Sequence, residues 1–303
     1  MIAKWLLAGI VAATLLPESA CAEPQQTLGW GHFADNDAMG DFHDRWHSGS
    51  YTVSVIRGQH WDGLLPTKFG EILEFRFSGG TITPANLEEP AKGDRRYVAP
   101  LSLGVHTHLN WQGFETSLGA DLVFTGPQTG IGRFQSWLHN VLGVAEPDLS
   151  NQIGNAVYPT LQAELGRTFV VSDNITMRPF VSAQAGVETY VRAGGDLVIG
   201  SFGRGSLMLR DDVTGQRYRA VDGIHIPAMS FTLGGDVARV FGSAYLSSSG
   251  PTAASDTRTR IRAGVQWQGE KASVFYGITY LSPEFDSQPQ GQIVGSLNVN
   301  LRF

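Results

Sequence analysis

Cysteine is all but missing from this chain. Cys21 is the one cysteine in 303 residues. It falls within a stretch that reads as an export leader: Lys4 supplies positive charge, Trp5–Leu16 is an apolar run, and Ala20-Cys21-Ala22 is an A-x-A-like cleavage site. A lipoprotein reading at Cys21 is disfavoured by Glu18, which stands where such sites carry an aliphatic residue. Cleavage after residue 22 leaves no disulfide and no thiol nucleophile, although the chain is exported. Long apolar runs are missing too. The leader's run is short of the roughly 20 residues that a spanning helix needs, and no later run reaches about 18. A positive surplus is also absent: 22 Lys and Arg against 28 Asp and Glu give a net charge of −6, which argues against a nucleic-acid partner.

What remains is abundant glycine, at 37 residues, 10% aromatics, and a persistent two-residue alternation. Tyr51, Val53 and Val55 share one strand face. Leu73, Phe75 and Phe77 share another, against Glu74 and Arg76. Longer alternating runs cover Arg96–Trp111, Phe114–Thr125, Val157–Val171, Thr176–Val191, Ile226–Leu246, Thr259–Gln268 and Ser273–Leu281. Turn signals separate them, among them Trp111-Gln112-Gly113 and Ser172-Asp173-Asn174. At the C-terminus, Leu297, Val299, Leu301 and Phe303 alternate with Ser296, Asn298, Asn300 and Arg302. An exported, strand-patterned chain without spanning helices is expected to be all-β: an outer-membrane antiparallel β-barrel of about twelve strands, with residues 23–303 as a single domain. The alternative is a soluble sandwich with an edge strand at its end.

One segment departs from alternation. In Gly130–Gly143, Phe134, Trp137, Leu138, Val141 and Leu142 follow helical spacing, and Gly143 suits the stop. Gln135 and His139, four apart, fall along one edge of the apolar face. A short amphipathic helix at a rim or in the lumen is therefore expected, with this polar edge near an active site.

Three segments carry a family resemblance: FADND with DRWHSGS, TPANLEEPAKGDRRYVAPLSLGVHTHLNW, and TGPQTGIGRFQSWLHNVLG. With SPEF and the final strand they resemble the outer-membrane lipid A 3′-O-deacylases, twelve-stranded barrels that remove the 3′-acyloxyacyl group of lipid A with calcium. The spacing from Gly126-Pro127 to Gln135 and His139 is its most specific part, and nothing matches between about Val191 and Ser255. The resemblance implies catalytic roles for His139, Gln135, Asn36 and Asp37. The family's threonine has no single counterpart: His47 holds its place if the glycine is aligned, Ser48 if the hydroxyl is. Its lysine is missing, with Lys92 nearest in a shorter loop. Its metal-binding glutamate corresponds to Glu146, displaced by one residue, so the implied Ca²⁺ ligands are Asn36, Asp37 and Glu146. Implied partners are lipopolysaccharide as substrate and, through Phe303, the barrel-assembly machinery; a monomer is expected.

The residue chemistry stands beside this. Ester hydrolysis without a thiol or serine nucleophile needs an activated water and a place for the oxyanion. Histidine can take the water's proton and return it to the leaving alcohol. A site of Asn and Asp suits a hard cation that takes six to eight oxygens. Adjacent strand residues face apart, so Asn36 and Asp37 can share an ion only where the strand ends or bulges. Arg95, Arg45 and His47 are candidates for meeting lipid phosphates, with an Asp44–Arg45 ion pair and an Arg95 ion pair as the structural alternatives. His106 and His108 lie on one strand face, a metal pair lacking a third ligand. Two other functions stay open: a phospholipase-type acyl hydrolase using Ser48, and a porin-like or structural barrel without catalysis.

Overall fold

The computed structural model describes residues 25–301. The expected leader and Phe303 lie outside the described residues. Twelve strands close a wall: β1 (Gln26–Asn36), β2 (Trp46–Gly58), β3 (Leu73–Thr83), β4 (Leu101–Trp111), β5 (Phe114–Thr125), β6 (Ala156–Gly166), β8 (Ile175–Ala185), β9 (Glu188–Ile199), β12 (Ala228–Ser243), β13 (Thr257–Gln268), β14 (Ala272–Leu281) and β15 (Gln292–Leu301). Every pairing is antiparallel. The ring shuts where Ala34 of β1 meets Leu297 of β15, and passes from β6 to β8 through Leu161↔Ala185. Of three short strands, β7 (Phe169–Ser172) prolongs the wall by pairing with β8, while β10 (Leu207–Arg210) and β11 (Arg217–Val221) form a sheet of their own. One α-helix, α1 (Ile131–Leu142), follows β5.

The hydrophobic pattern is that of a soluble protein turned inside out. In β13, Arg258, Arg260 and Arg262 are buried, while Ile261 is 60% exposed. In β3, Glu74 and Arg76 face the lumen and Phe75 and Phe77 face out. Arginine on the lipid side costs about 2–4 kcal/mol at mid-membrane. Sliding β13 by one residue would turn three arginines outward, so the pleat fixes register. Trp30, Trp111 and Trp267 also point outward.

Several alternating runs prove to be more than one element. The run Val157–Val171 breaks at Gly166, where a Cβ would overlap the Arg178 guanidinium. The run Thr176–Val191 folds back at Gly186, whose φ of +154° and close approach to Thr160 exclude a side chain. The run Arg96–Trp111 becomes a strand only at Leu101, with Val98 bridging Ile82 before it. The Trp111-Gln112-Gly113 turn forms as expected: φ is +51° at Gln112 and +86° at Gly113, as a two-residue hairpin between right-twisted strands requires.

The segment that matched nothing in sequence enters the lumen. Between β9 and β12 the chain turns inward as the β10–β11 hairpin. Its Leu207, Leu209, Tyr218, Ala220 and Val221 pack with Phe202 against inward-facing Phe33, Ile56 and Phe275. Tyr218 stacks on Phe33 at 5.1 Å and Phe202 on Phe275 at 5.6 Å. Gly29 and Gly31 make the fit possible, because a Cβ at Gly29 would overlap the Ala220 carbonyl and one at Gly31 would press on Tyr218. At the tip, Asp211 accepts from the Thr214 amide and hydroxyl, both at 2.7 Å. Gln216 donates to the Ala263 and Ile278 carbonyls at 3.1 and 3.3 Å. Arg260 donates to the Asp212 and Val213 carbonyls at 2.8 and 3.0 Å. The hairpin is thus a bolted plug.

The rim where β1 ends, called upper below, carries segments 37–45, 84–100, 126–155, 244–256 and 282–291. The lower rim carries both ends of the described chain, the turns at 112–113 and 269–271, the segments 59–72 and 167–174, and the 200–227 connection that enters the lumen. Longer loops on one side suit the extracellular face. Because the plug fills the lumen, the full chain is expected to pass negligible current in planar bilayers. Replacing residues 206–221 with a short Gly-Ser linker should open stable ion conductance in a barrel that remains heat-modifiable on gels. Equal currents from both proteins would contradict the plug's role.

Candidate functional site at the upper rim

Strand β1 runs out at Asn36, and Asp37 opens a 3₁₀ turn, Asp37–Met39. Asn36 Oδ1 caps this turn, accepting from the Ala38 amide at 2.8 Å. The strand therefore ends where two neighbouring residues would otherwise face apart. Asp37 is 1% exposed, and its Oδ2 accepts the Arg45 amide at 2.7 Å. Burial pushes its carboxyl up to about 8, partly offset by the Arg45 amide, with Asp44 and Asp41 adding repulsion.

Strand β2 begins with a bulge. Its register against β3 slips between His47 and Gly49, so Ser48 is the extra residue. A bulge re-aims side chains, which lets two neighbours both turn inward. The Ser48 hydroxyl donates to Asp44 Oδ1 through a short hydrogen bond. The His47 ring meets Glu284 Oε1 at 2.9 Å.

Helix α1 supplies the facing side. Gly126 and Gly130, at φ +83° and +73°, shape the turn that feeds it, and Gly143 at φ +68° stops it. Its polar edge is the buried one: Gly132, Gln135 and His139 turn in, while Phe134, Trp137, Val141 and Leu142 are all about 60% exposed. A Cβ at Gly79, on the outward face of β3, would meet Ile131 at 3.2 Å and Leu101 at 3.5 Å. The helix thus leans on the lipid-facing wall, and its apolar stripe continues the barrel's apolar band. In sequence this stripe reads as a packing face; the surroundings invert it.

The imidazole of His139 is held on both sides. Its Nδ1 lies 2.5 Å from the Ala145 carbonyl, which can only accept, so Nδ1 carries the proton and Nε2 keeps its lone pair. Nε2 faces Gln135 Nε2 at 3.4 Å and Asp44 Oδ2 at 3.5 Å. The Tyr97 hydroxyl donates to Gln135 Oε1 at 2.7 Å and so sets the amide's orientation. Burial and the nearby Asp44 push the Tyr97 hydroxyl up, keeping it a donor.

Asp44 is the residue that sequence reasoning misjudged. The Asp44–Arg45 pair does not form: Arg45 Nη2 bonds Asp41 Oδ2 at 3.1 Å and the guanidinium stacks on Trp46 at 4.5 Å. Asp44 instead joins Ser48 on the wall to His139 on the helix, and is near enough to Asp37 to repel it. Among the sequence candidates, the structure gathers Gln135, His139 and Ser48 around Asp44, with Asp37 beside them. It draws others away. Glu146 Oε1 accepts from Asn140 at 3.0 Å on the exposed end of the helix. Arg95, 2% exposed, bonds Glu284 Oε2 at 2.6 Å. His106 and His108 are taken by Asp121 at 3.2 Å and Glu74 at 2.8 Å inside the lumen. Tyr97 was also missed; the Asp44-to-Ser48 spacing at a strand start was the available signal for Asp44, and Tyr97 had none.

Calcium can be tested against these donors. Asp37, Asp44, Asn36 and Ser48 offer hard oxygens, and Asp37 and Asp44 lie close enough to repel each other. Both fit a calcium ion. Among the described residues no three of His, Cys, Asp and Glu converge as a closed cage. The fit is therefore to an open site, completed by other oxygens.

A closed strand wall, a polar lumen and an outward apolar band define an outer-membrane β-barrel with a polar site at one rim. The chain matches the family described as Outer membrane protein LpxR over residues 6–303, and it belongs to that family. Among solved structures, LpxR from Salmonella typhimurium superposes with a TM-score of 0.73 at 16% identity, covering 91% of this chain and 100% of that one. The COG4313 outer membrane channel from Pseudomonas putida F1 gives a TM-score of 0.44 at 12% identity, covering 94% and 98%. The NanC porin gives 0.40 at 6% identity, covering 91% and 100%. No curated protein sequence matches the chain.

Glu284 anchors the rim behind the site, between His47, Arg95 and Arg258. Burial pushes its carboxyl up, but His47, Arg258 and Arg95 outweigh this and hold it well below the usual range. A depressed folded value means that its contribution is present above the ordinary carboxylate pKa and is lost as pH falls through the folded one. Glu284→Gln leaves Arg95 without its carboxylate and His47 without its acceptor, while Arg258 keeps Glu188. It should cost about 3–5 kcal/mol, read as a lower urea midpoint in lipid vesicles. An unchanged midpoint would show that the network is not structural.

Proposed function

We propose that the protein is a lipid A deacylase, a carboxylic ester hydrolase that removes the 3′-linked acyloxyacyl group at the outer leaflet. The observation that carries this reading is the Nε2 of His139, set between Gln135 and Asp44 on the buried edge of a helix whose opposite face is apolar and leans on the lipid-facing wall. That arrangement sets a base where an acyl ester meets its sugar.

The residues divide the work. His139 accepts a proton from water at Nε2, because Ala145 holds the other proton on Nδ1. The resulting imidazolium is stabilised by Asp44 Oδ2 at 3.5 Å and then returns the proton to the leaving alcohol. Gln135, fixed by Tyr97, presents an amide N–H toward the same water and the forming oxyanion. Ser48 holds Asp44 in place. Asn36, Asp37 and Asp44 are the residues that would hold calcium, which when bound supplies a Lewis acid for the oxyanion. The exposed Phe134, Trp137, Val141 and Leu142 keep the ester at the depth of acyl chains.

A serine hydrolase is the second reading, and one contact speaks against it. The Ser48 hydroxyl donates to Asp44 and not to His139, so no imidazole stands ready to take its proton. Resistance to a serine-directed phosphonate, together with metal-dependent turnover, separates the two.

Mass spectrometry of lipid A from expressing cells is the direct test. Wild type should remove a mass equal to a 3′-linked acyloxyacyl group, and His139→Ala should remove none while its barrel stays heat-modifiable. Acyl loss in the variant would refute the base assignment. Chelation should stop the reaction, and Asp37→Ala should raise the calcium concentration needed for half-maximal rate. A rate indifferent to chelator would remove the metal from this scheme.

A further inference from the structure

The largest cavity lies far from His139. It has a volume of about 810 Å³, sits between the plug and the wall, and reaches the lower rim beside Trp61, Thr168 and Arg204. Its charged side chains form a lattice in which nearly every arginine owns a carboxylate. Arg178 bonds Glu115 at 2.6 Å and Glu164 at 2.7 Å. Arg210 bonds Glu164 at 2.7 Å and Asp196 at 2.8 Å. Arg262 holds Asp196 and Asp236, both at 2.5 Å, and Asp236 also serves Arg192 and Arg260.

Two arginines are exceptions: Arg204, which donates to the Asp173 and Gly200 carbonyls instead, and Arg217. The nearest carboxylate to Arg217 is Glu115 at 4.0 Å, and that oxygen is already bonded to Arg178. Arg178 and Arg210 stand close enough to oppose its charge. The acids at the plug tip are engaged elsewhere: Asp211 accepts from Thr214, and Asp212 faces Arg76 at 3.7 Å. The lattice is also built to this shape. Gly166 has no Cβ because Arg178 lies against it, and Arg210 stacks on Phe180 at 3.7 Å. A guanidinium crowded by two others and lacking its own acid needs a counter-anion. Its planar fork suits an oxyanion held by paired N–H groups.

We propose that this cavity binds a small oxyanion, a phosphate or a carboxylate, at Arg217, with entry from the lower rim. The site lies between the plug and the wall, apart from any ester chemistry at the upper rim, and so stands or falls independently of the function proposed above. Binding offsets the crowded positive charge and ties Arg217 of the plug to Arg178 of β8.

Calorimetric titration of the full-length folded barrel with inorganic phosphate, at constant ionic strength in chloride, tests this. Saturable one-site binding is expected, weakened roughly tenfold or more in Arg217→Gln, since a charge-assisted hydrogen bond contributes about 1.5–3 kcal/mol. Arg217→Lys keeps the charge but loses the fork and should weaken phosphate less. It also serves as the test protein if the Gln variant does not fold. Arg239→Gln, at an exposed pair with Asp256, should bind as wild type does. Acetate in a second arm reports whether a carboxylate competes, which assigns the preferred oxyanion. Absence of saturable binding of either anion, or equal affinity in wild type and both Arg217 variants, overturns the proposal.

Discussion

An arginine cannot be left facing hydrocarbon, and most of this molecule follows from that one constraint. Arg258, Arg260 and Arg262 on β13 must look inward, so every pleat beside them is fixed. Once inward, they need carboxylates, which Asp196, Asp236, Glu188 and Glu284 supply from neighbouring strands and the rim. The lumen becomes a lattice of ion pairs spanning strands far apart in sequence, and it is this lattice, with the plug's apolar patch, that the chain has in place of an ordinary core.

The same constraint explains why the candidate site lies at a rim. Mid-lumen positions are occupied by structural pairs such as Glu74 with Arg76 and His108, or His106 with Asp121. Polar groups that must meet a lipid can be offered only where the wall ends. There a 3₁₀ turn, a bulge and a helix bring three chain segments together. The helix serves two solvents at once: its narrow polar edge closes the crevice, and its broad apolar face meets the membrane.

The fold was legible because strand alternation survives inversion. A pattern of period two does not say which face is buried, but exported chains without spanning helices leave one answer. Gln135 and His139 were legible from helical spacing together with a family resemblance. Asn36 and Asp37 were legible for a further reason, since a strand must stop for both to be useful. The rest depended on three-dimensional neighbours. Nothing in sequence says that Asp44 reaches across to a helix nearly a hundred residues later, or that Arg95 is consumed by Glu284. The plug hid for a different reason. Leu207, Leu209, Tyr218 and Ala220 alternate as any wall strand does, yet their segments are too short to cross a membrane.

The plug's attachments bear on how the barrel is made. The hairpin rests on Gly29 and Gly31 of the first strand and is tied by Gln216 to β13 and β14, so it straddles the seam between the two ends of the chain. It cannot be threaded into a finished cylinder without breaking those contacts. The hairpin's contacts and the pairing of the first strand with the last therefore reinforce each other across that seam.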